Sequence, residues 1–311
     1  MKQWEKQGLI YVPEANDFSV GHAQLPIVDK VDDDTLRVYF GARTADKYTI
    51  GSYIDVDADN PKNVLFVNRE RPLLELGELG AFDDTGVMPS WVVSYNGLKY
   101  LYYIGWNAGV SVSYRNSIGL AVSDDGGRRF TRMFKGPVVD RSKEEPHFCS
   151  APCVLVDDGL WRMWYLNGVR WDIIDGRSEP IYHIKYAESE DGIHWDRRGV
   201  VCIDLKSPGE GGITRPCVVR DGDLYRMWYS YRGIADYRTN PDFTYRIGYA
   251  ESDDGIHWER MDERAGIDIT EGGWDAEMVA FAYVYRHRDS WWMMYNGNGF
   301  GDSGIGYATT D

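Results

Sequence analysis

The chain has 311 residues and a formal net charge of −15 at pH 7, and hydrophobic residues make up 43% of it. This charge repels nucleic acid and anionic membrane surfaces over the chain as a whole. The N-terminal sequence MKQWEKQGLIYVPE lacks the apolar run of a secretory signal, and no later window is apolar enough for a membrane span. We therefore expect a cytoplasmic globular protein that binds neither nucleic acid nor membranes.

A short apolar motif recurs five times along the chain. It reads IGSYID from Ile50, IGLAVS from Ile118, IKYAES from Ile184, IGYAES from Ile247 and IGYATT from Ile305. The spacings of 68, 66, 63 and 58 residues are typical of a propeller blade, which is a four-stranded antiparallel sheet arranged radially about an axis. The repeat therefore predicts an all-β, five-bladed propeller.

Each unit carries two earlier strands ahead of this motif. In chain order the pairs are LPIV and LRVYFGAR, MPSWVV and KYLYYIGW, APCVLV and WRMWYLNG, RPCVV and YRMWYSYRG, and FAYVY and WWMMYNGN. Asp-Gly and Asn-Gly pairs between alternating aromatic and apolar residues are strong hairpin signals. No segment has the pattern of an amphipathic helix of three turns.

The fifth unit lacks a fourth strand, because Asp311 directly follows its third strand. The N-terminal QWEKQGLIYV resembles the fourth strands of the other units, with Trp4 standing where Trp195 stands. We expect this first strand to complete the last blade, close the ring and remove an exposed edge. Residues 1–311 are therefore predicted to form a single domain.

The most conspicuous repeat, SEDGIHW from Ser189, has a structural interpretation. Asp191 and Gly192 supply a turn between the third and fourth strands, and Ser189 can bond the turn amides. The related SDDGGRRF from Ser123 matches the Asp-box turn of sialidases. We expect these turns to lie far from the axis and to act as scaffold.

Candidate functional residues lie where the innermost strands converge on one mouth of the channel. Acidic, arginine, amide and tryptophan side chains gather there, which is the composition of a sugar site because rings stack on sugar faces and polar groups bond hydroxyls. Entries to the first strands supply His22, Gln24, Asp83, Asp84, Glu145, His147, Arg215, Asp275 and Glu277, whereas later strands and loops supply Arg43, Trp106, Asn107, Arg115, Arg232 and Asn296.

The five units, the SxDGxxW turns and entries such as FDDTGVMPSWVV resemble the five-bladed propeller glycosidase superfamily over essentially the whole chain. That superfamily includes arabinanases, β-xylosidases, invertase-like fructosidases and mannoside phosphorylases. The resemblance implies a first-blade Asp as base or nucleophile, a second-blade Asp that tunes it and a third-blade Glu as acid. In this chain the corresponding positions, each two residues before the proline of a first strand, are held by Gln24, Val87 and Ser150, and the third of these prolines is Pro152. Those roles therefore do not transfer residue by residue.

The catalytic carboxylates of a hydrolase must then come from other entry residues. Two carboxyls are required, about 5–5.5 Å apart for a nucleophile or about 6.5–9.5 Å apart when a water lies between them. We predict Glu145 as acid and Asp84 as base, with Glu277 binding hydroxyls or replacing either. The remaining candidates are predicted to bind substrate.

Three functions remain open at this stage. A glycosidase acting on a small glycoside, neutral or anionic, is the leading hypothesis. A phosphorylase or glycosyltransferase is favoured by arginines on four blades, which suit phosphate or carboxylate. A non-catalytic carbohydrate-binding propeller is favoured by the missing triad. No metal or cofactor is expected, since His22 and His147 lack tight ligand spacing and the four cysteines, Cys149, Cys153, Cys202 and Cys217, read as reduced, buried thiols.

Overall fold

The structure, a computed structural model, describes residues 3–310, so Met1, Lys2 and Asp311 of the predicted domain lie outside it. Antiparallel pairing arranges its strands in groups of four. The groups are β2 (Gly21–Lys30), β3 (Thr35–Arg43), β4 (Thr49–Asp57) and β5 (Val64–Val67); β6 (Gly86–Tyr95), β7 (Leu98–Ala108), β8 (Tyr114–Ser123) and β9 (Thr131–Arg132); β10 (Cys149–Asp157), β11 (Leu160–Ile174), β12 (Arg177–Ser189) and β13 (Val201–Ile203); β14 (Glu210–Asp221), β15 (Leu224–Gly233), β16 (Arg246–Ser252) and β17 (Glu259–Arg260); and β18 (Ala280–His287), β19 (Ser290–Asn296), β20 (Ile305–Thr310) and β1 (Glu5–Tyr11). Single parallel pairings of β4 with β6 and of β12 with β14 join four of these groups into two eight-stranded sheets, and the last group forms a separate four-stranded sheet. The predicted all-β propeller fold is confirmed.

The only helical segments in residues 3–310 are short. A single 3-10 turn covers Asp262–Arg264, and a four-residue helical turn covers Asn298–Gly301 between β19 and β20. No helix in this part of the chain is long and apolar enough to cross a membrane. That the whole chain forms one domain stays a prediction.

The first and last blades are joined by the N-terminal strand. β1 pairs antiparallel with β20, from Glu5 opposite Thr309 to Tyr11 opposite Ile305, which confirms the predicted completion of the last blade. Asn296 adds a second link, since its side chain accepts a hydrogen bond from the Leu25 amide and donates one to the Ala23 carbonyl. Both contacts hold the last blade in place beside the first.

Each innermost strand is interrupted at the same place. Pairing with the second strand skips residues after Gln24, Pro89, Ser150, Thr214 and Ala280. Leu25, Ala151, Arg215 and Phe281 lie at these bulges with φ between 44° and 59°. In three strands a proline, which cannot donate to a ladder, occupies the bulge, and in a fourth Pro89 borders it. The bulges turn the adjacent side chains toward the axis.

The SxDG turns fasten neighbouring blades. The Asp191 side chain accepts hydrogen bonds from the amides of Ile193 and His194, and Tyr102 of the preceding blade donates to the Gly192 carbonyl. Gly192 has φ of 74°, and a side chain there would meet Trp161 at 2.7 Å. The turn at Gly255 is bonded in the same way by Trp164 of the preceding blade.

Removal of the buried ring of Trp4 is expected to destabilise the closed propeller. Trp4 is 4% exposed and lies edge-on to Trp228 at 6.0 Å. Trp4→Ala should lower the free energy of unfolding by roughly 3–5 kcal/mol, measured by urea denaturation. Val12→Ala, at a side chain that is 49% exposed, is the control, and an equal effect of both substitutions would contradict the role of Trp4 in closure.

The turn aspartates predict how stability depends on pH. Burial alone would raise the pKa of Asp191, but hydrogen bonds from His194, Ile193 and Ser189 lower it overall, and the pKa of Asp254 is lowered in the same manner. Both groups therefore stabilise the fold above the unfolded pKa of about 3.9, and this contribution is lost as pH falls through the folded values.

Asp191→Asn with Asp254→Asn should flatten the fall in melting temperature between about pH 5 and about pH 2. Differential scanning calorimetry at several pH values provides the measurement. Glu190→Gln with Asp253→Asn, two adjacent acidic residues outside the turn hydrogen bonds, should retain the wild-type slope. A double turn variant with the wild-type slope would contradict the assignment.

Candidate functional site

A cavity of about 240 Å³ lies on the axis, directly above the five bulges. Side chains from the bulges form its floor, and residues from the second and third strands form its wall. The lining comprises Gln24, Leu25, Arg43, Met88, Ile104, Trp106, Tyr114, Asn116, Phe148, Ser150, Ala151, Leu166, Tyr182, Thr214, Tyr237, Arg238, Tyr245, Phe281 and Phe300. No Asp or Glu of residues 3–310 is among them.

Aromatic rings form much of the cavity wall. Trp106 meets Tyr114 edge-to-face at 4.8 Å, and Tyr114 meets Trp171 at 5.1 Å. On the opposite side Tyr245 contacts both Phe281 and Phe300. Such rings offer flat apolar faces of the kind that stack on sugars.

Several polar atoms of the lining residues have no hydrogen-bond partner. They are the acceptor oxygens Gln24 Oε1 and Asn116 Oδ1 and the donors Arg43 Nε and Trp106 Nε1. Each is buried, and a buried polar group without a partner costs about 1–3 kcal/mol. These groups come from the first and second blades, and they leave the cavity ready for a ligand that supplies donors and acceptors.

One edge of the cavity is basic. Arg43 makes no ion pair with any residue of 3–310, and burial lowers the pKa of its guanidinium. The neighbouring His22 lies 3.7 Å from Asp302, between Nδ1 and Oδ1, and burial together with the charge of Arg43 lowers the pKa of its ring. This edge therefore attracts anions more strongly than cations.

A buried arginine supports the opposite edge. Arg232 is 1% exposed and donates from Nε to the Tyr182 hydroxyl, and it also donates to the carbonyls of Pro180 and Gly233. Its guanidinium stacks on Tyr237, with 3.8 Å from Cζ to the ring centroid. Arg232 has no carboxylate partner within the described chain.

Three of the predicted acidic site residues lie outside the cavity, in a repeated structural clasp. Glu145 accepts hydrogen bonds from Tyr165, Lys185 and Arg197, all at 3.0 Å. The same arrangement joins Asp83 to Tyr103 and Arg132, and Asp275 to Tyr295 and Lys6. In each case an entry carboxylate binds a tyrosine of the second strand. The basic partner of Asp83 and of Asp275 lies on the fourth strand, whereas Glu145 binds Lys185 of the third strand and Arg197, which precedes the fourth. The three carboxylate residues are 1–4% exposed. Each clasp ties the entry loop to its own blade.

The other two acidic candidates lie near the cavity without lining it. Asp84 accepts hydrogen bonds from Asn107 Nδ2 and from the Gly80 amide, both at 2.9 Å. The side chain of Glu277 is exposed and makes no hydrogen bond, although its carbonyl accepts from Thr244 and Arg246 beside the cavity residue Tyr245. The catalytic roles of Glu145, Asp84 and Glu277 stay predictions, and the contacts give Glu145 a structural role.

The remaining predicted ligand residues divide into four sets. Gln24, Arg43 and Trp106 line the cavity. His22, Asn107 and His147 lie beside the cavity without lining it. Asn296 and Arg232 are buried supports, and Arg115 is exposed and makes no side-chain hydrogen bond. Arg215 is fully buried below the floor, where it contacts Trp91 and Tyr283 and donates to the Pro26 carbonyl.

Sequence reasoning missed the tyrosines of the cavity. Tyr182 and Tyr245 are equivalent positions 63 residues apart. The repeat itself held the signal, since both tyrosines stand two residues before the isoleucine that defines the unit.

No protein-family model matches the chain. It is 37% identical over 310 residues, 99% of both chains, to the uncharacterized protein MT1551 of Mycobacterium tuberculosis (strain CDC 1551 / Oshkosh). It is also 24% identical over 231 residues to a 1,2-beta-oligomannan phosphorylase of Thermoanaerobacter sp. (strain X514), covering 73% of this chain and 69% of that one.

Solved structures of propeller glycosidases share the fold. A thermostable family-43 glycoside hydrolase superposes with a TM-score of 0.67 at 19% identity, over 96% of this chain and 90% of the other. The predicted resemblance to the propeller glycosidase superfamily is therefore confirmed for the fold.

The clasp around Glu145 is expected to contribute to stability. Glu145→Gln leaves Lys185 and Arg197 with a neutral partner in a buried site, and breaking one side of a buried ion pair costs roughly 3–5 kcal/mol. Chemical denaturation should show this loss. The adjacent Glu144→Gln, at an exposed residue, should change the free energy of unfolding by less than about 0.5 kcal/mol, and similar values for both variants would contradict the clasp.

Proposed function

The chain belongs to the family of the mycobacterial protein MT1551, and we propose that its axial cavity binds a small glycoside. The observation that carries this proposal is the set of unpartnered polar atoms on Gln24, Arg43, Trp106 and Asn116 within one aromatic-walled cavity. A sugar supplies both donors and acceptors through its hydroxyls, and its ring faces fit aromatic side chains. Binding would offset the cost of leaving these groups without partners.

Cleavage of the bound glycoside is the leading candidate reaction. In a hydrolase one carboxyl protonates the departing oxygen while a second acts on water or on the anomeric carbon. Because Glu145 is held by three partners, Glu277 replaces it here as the acid, and Asp84 remains the base. Asp84 is bonded to Asn107, next to the cavity residue Trp106, and Glu277 bonds through its carbonyl to Thr244, next to the cavity residue Tyr245.

Phosphorolysis is the second candidate. Phosphate is already an anion and needs no general base to attack the anomeric carbon, which suits a cavity with no lining carboxylate. The unpaired guanidinium of Arg43 and the buried guanidinium of Arg232 favour a phosphate or a sugar phosphate as ligand. The relative that is a 1,2-beta-oligomannan phosphorylase supports the same reaction.

A panel of aryl glycosides and β-linked oligomannosides, incubated with and without inorganic phosphate, tests these reactions. Free sugar would indicate hydrolysis, and a sugar 1-phosphate that forms only with phosphate would indicate phosphorolysis. Substrate binding without either product would support a carbohydrate-binding propeller instead.

Asp84→Asn and Glu277→Gln should each lower kcat by about 10²–10⁴-fold, the usual contribution of a general acid or base. If the reaction is phosphorolysis, only Glu277→Gln should lower kcat to this extent, because the departing oxygen still requires a proton. Asp223→Asn, at an exposed hairpin residue remote from the cavity, is the matched control. Wild-type kcat in both site variants would reject the catalytic assignment while leaving glycoside binding intact.

A further inference from the structure

Two tyrosine hydroxyls meet at the cavity wall. Tyr182 and Tyr245 both line the cavity, they are 5% and 6% exposed, and their hydroxyl oxygens are hydrogen-bonded to one another. The Tyr182 oxygen also accepts a hydrogen bond of 2.8 Å from Arg232 Nε. Neither hydroxyl has any other partner among residues 3–310.

A count of donors and acceptors shows that this group is incomplete. Arg232 Nε, the Tyr182 hydroxyl and the Tyr245 hydroxyl each carry one proton, but only two hydrogen bonds connect the three groups. Whichever tyrosine donates to the other, one phenolic proton is left without an acceptor in the described chain. Both hydroxyls are buried, so bulk water does not readily accept this proton.

The charges around the cavity indicate what kind of acceptor would fit. Arg43 and Arg232 have no carboxylate partner within residues 3–310, and the third guanidinium, that of Arg238, is paired with Glu179. No carboxylate lines the cavity. Arg43 therefore presents an unpaired positive charge to the cavity, whereas Arg232 lies behind the wall and reaches it through the Tyr182 hydroxyl. An anionic oxygen in the cavity would accept the surplus phenolic proton in a hydrogen bond and would be favoured by these charges.

We propose that the Tyr182–Tyr245 pair, supported by Arg232, donates its surplus proton in a hydrogen bond to an anionic oxygen of the ligand, either phosphate or a sugar carboxylate. This inference rests on the proposed glycoside-binding function and assigns the residues that select an anionic ligand over a neutral one. Burial, together with the neighbouring tyrosine, raises the pKa of Tyr245 well above its ordinary value. Its hydroxyl therefore remains protonated, and remains a donor, throughout the neutral range.

Isothermal titration calorimetry at constant ionic strength, with inorganic phosphate, D-glucuronate and D-glucose as probes, tests the proposal. The wild-type protein should bind at least one of the two anions more tightly than glucose, and the anion that binds identifies the source of the oxygen. Tyr182→Phe combined with Tyr245→Phe should lower the affinity for that anion about tenfold or more, which corresponds to the loss of one charge-assisted hydrogen bond. Glucose affinity should change by less than about twofold.

The single variants keep the test valid if the double variant is unstable. In Tyr245→Phe the Tyr182 oxygen still accepts from Arg232 and its own proton becomes free to donate, so anion binding should weaken less than in the double variant while the fold is retained. In Tyr182→Phe Arg232 Nε loses its acceptor, which should also lower the melting temperature. Tyr102→Phe, which removes a buried hydroxyl bonded to the Gly192 carbonyl outside the cavity, should leave anion affinity unchanged.

Equal anion affinity in wild type and in folded Tyr245→Phe and double variants would overturn the inference, and so would a wild-type protein that binds neither anion. If a wild-type protein that binds neither anion still cleaves or binds neutral members of the glycoside panel, the proposed function stands and only the anionic subsite fails. If it also fails to bind every glycoside in the panel, the proposed function fails as well.

Discussion

Closure of the ring is the constraint on which the rest of this structure depends. A propeller whose last blade lacks its outer strand is incomplete, and pairing of β1 with β20 provides the missing strand. Asn296 then fixes the last blade to the first through the backbone of Ala23 and Leu25. Since the cavity floor contains one bulge from each innermost strand, its shape requires that all five blades hold their positions.

The entry carboxylates illustrate how one residue pattern can serve two purposes. Asp83, Glu145 and Asp275 lie at blade entries, where the sequence predicted site residues, yet each is enclosed by a tyrosine and a basic residue of its own blade. A carboxylate held by several partners in this way is fixed in position and is well suited to orient an entry loop.

The cavity combines an apolar wall with polar groups that the protein does not satisfy. Most buried polar groups in proteins find a partner, and each one that does not calls for an explanation. Four of the unpartnered atoms, on Gln24, Arg43, Trp106 and Asn116, belong to residues that line this cavity. Arg232 contacts carbonyl and phenol oxygens instead of carboxylates, and it acts on the cavity through the Tyr182 hydroxyl.

Much of the fold was predictable from the sequence, because the isoleucine motif repeats at a nearly constant interval and the N-terminal strand resembles the fourth strand of the other units. The site was predictable only in part: Gln24, Arg43 and Trp106 line the cavity, while Asp83 and Glu145 face into their own blade. Local patterns cannot say which of two adjacent side chains points to the axis, since a bulge shifts the alternation of a strand by one residue.

The sequence by itself determined the architecture of this protein, because hydrogen-bonded strands and turns follow from local periodicity and from short Asp-Gly signals. Only the tertiary structure decided which polar groups face the cavity. Tyr182 and Tyr245 stand 63 residues apart on neighbouring blades, and their hydrogen bonds with each other and with Arg232 exist only once those blades pack together. The physical reason is that periodicity is a property of neighbouring residues, whereas the partner of a buried donor is determined by packing between blades.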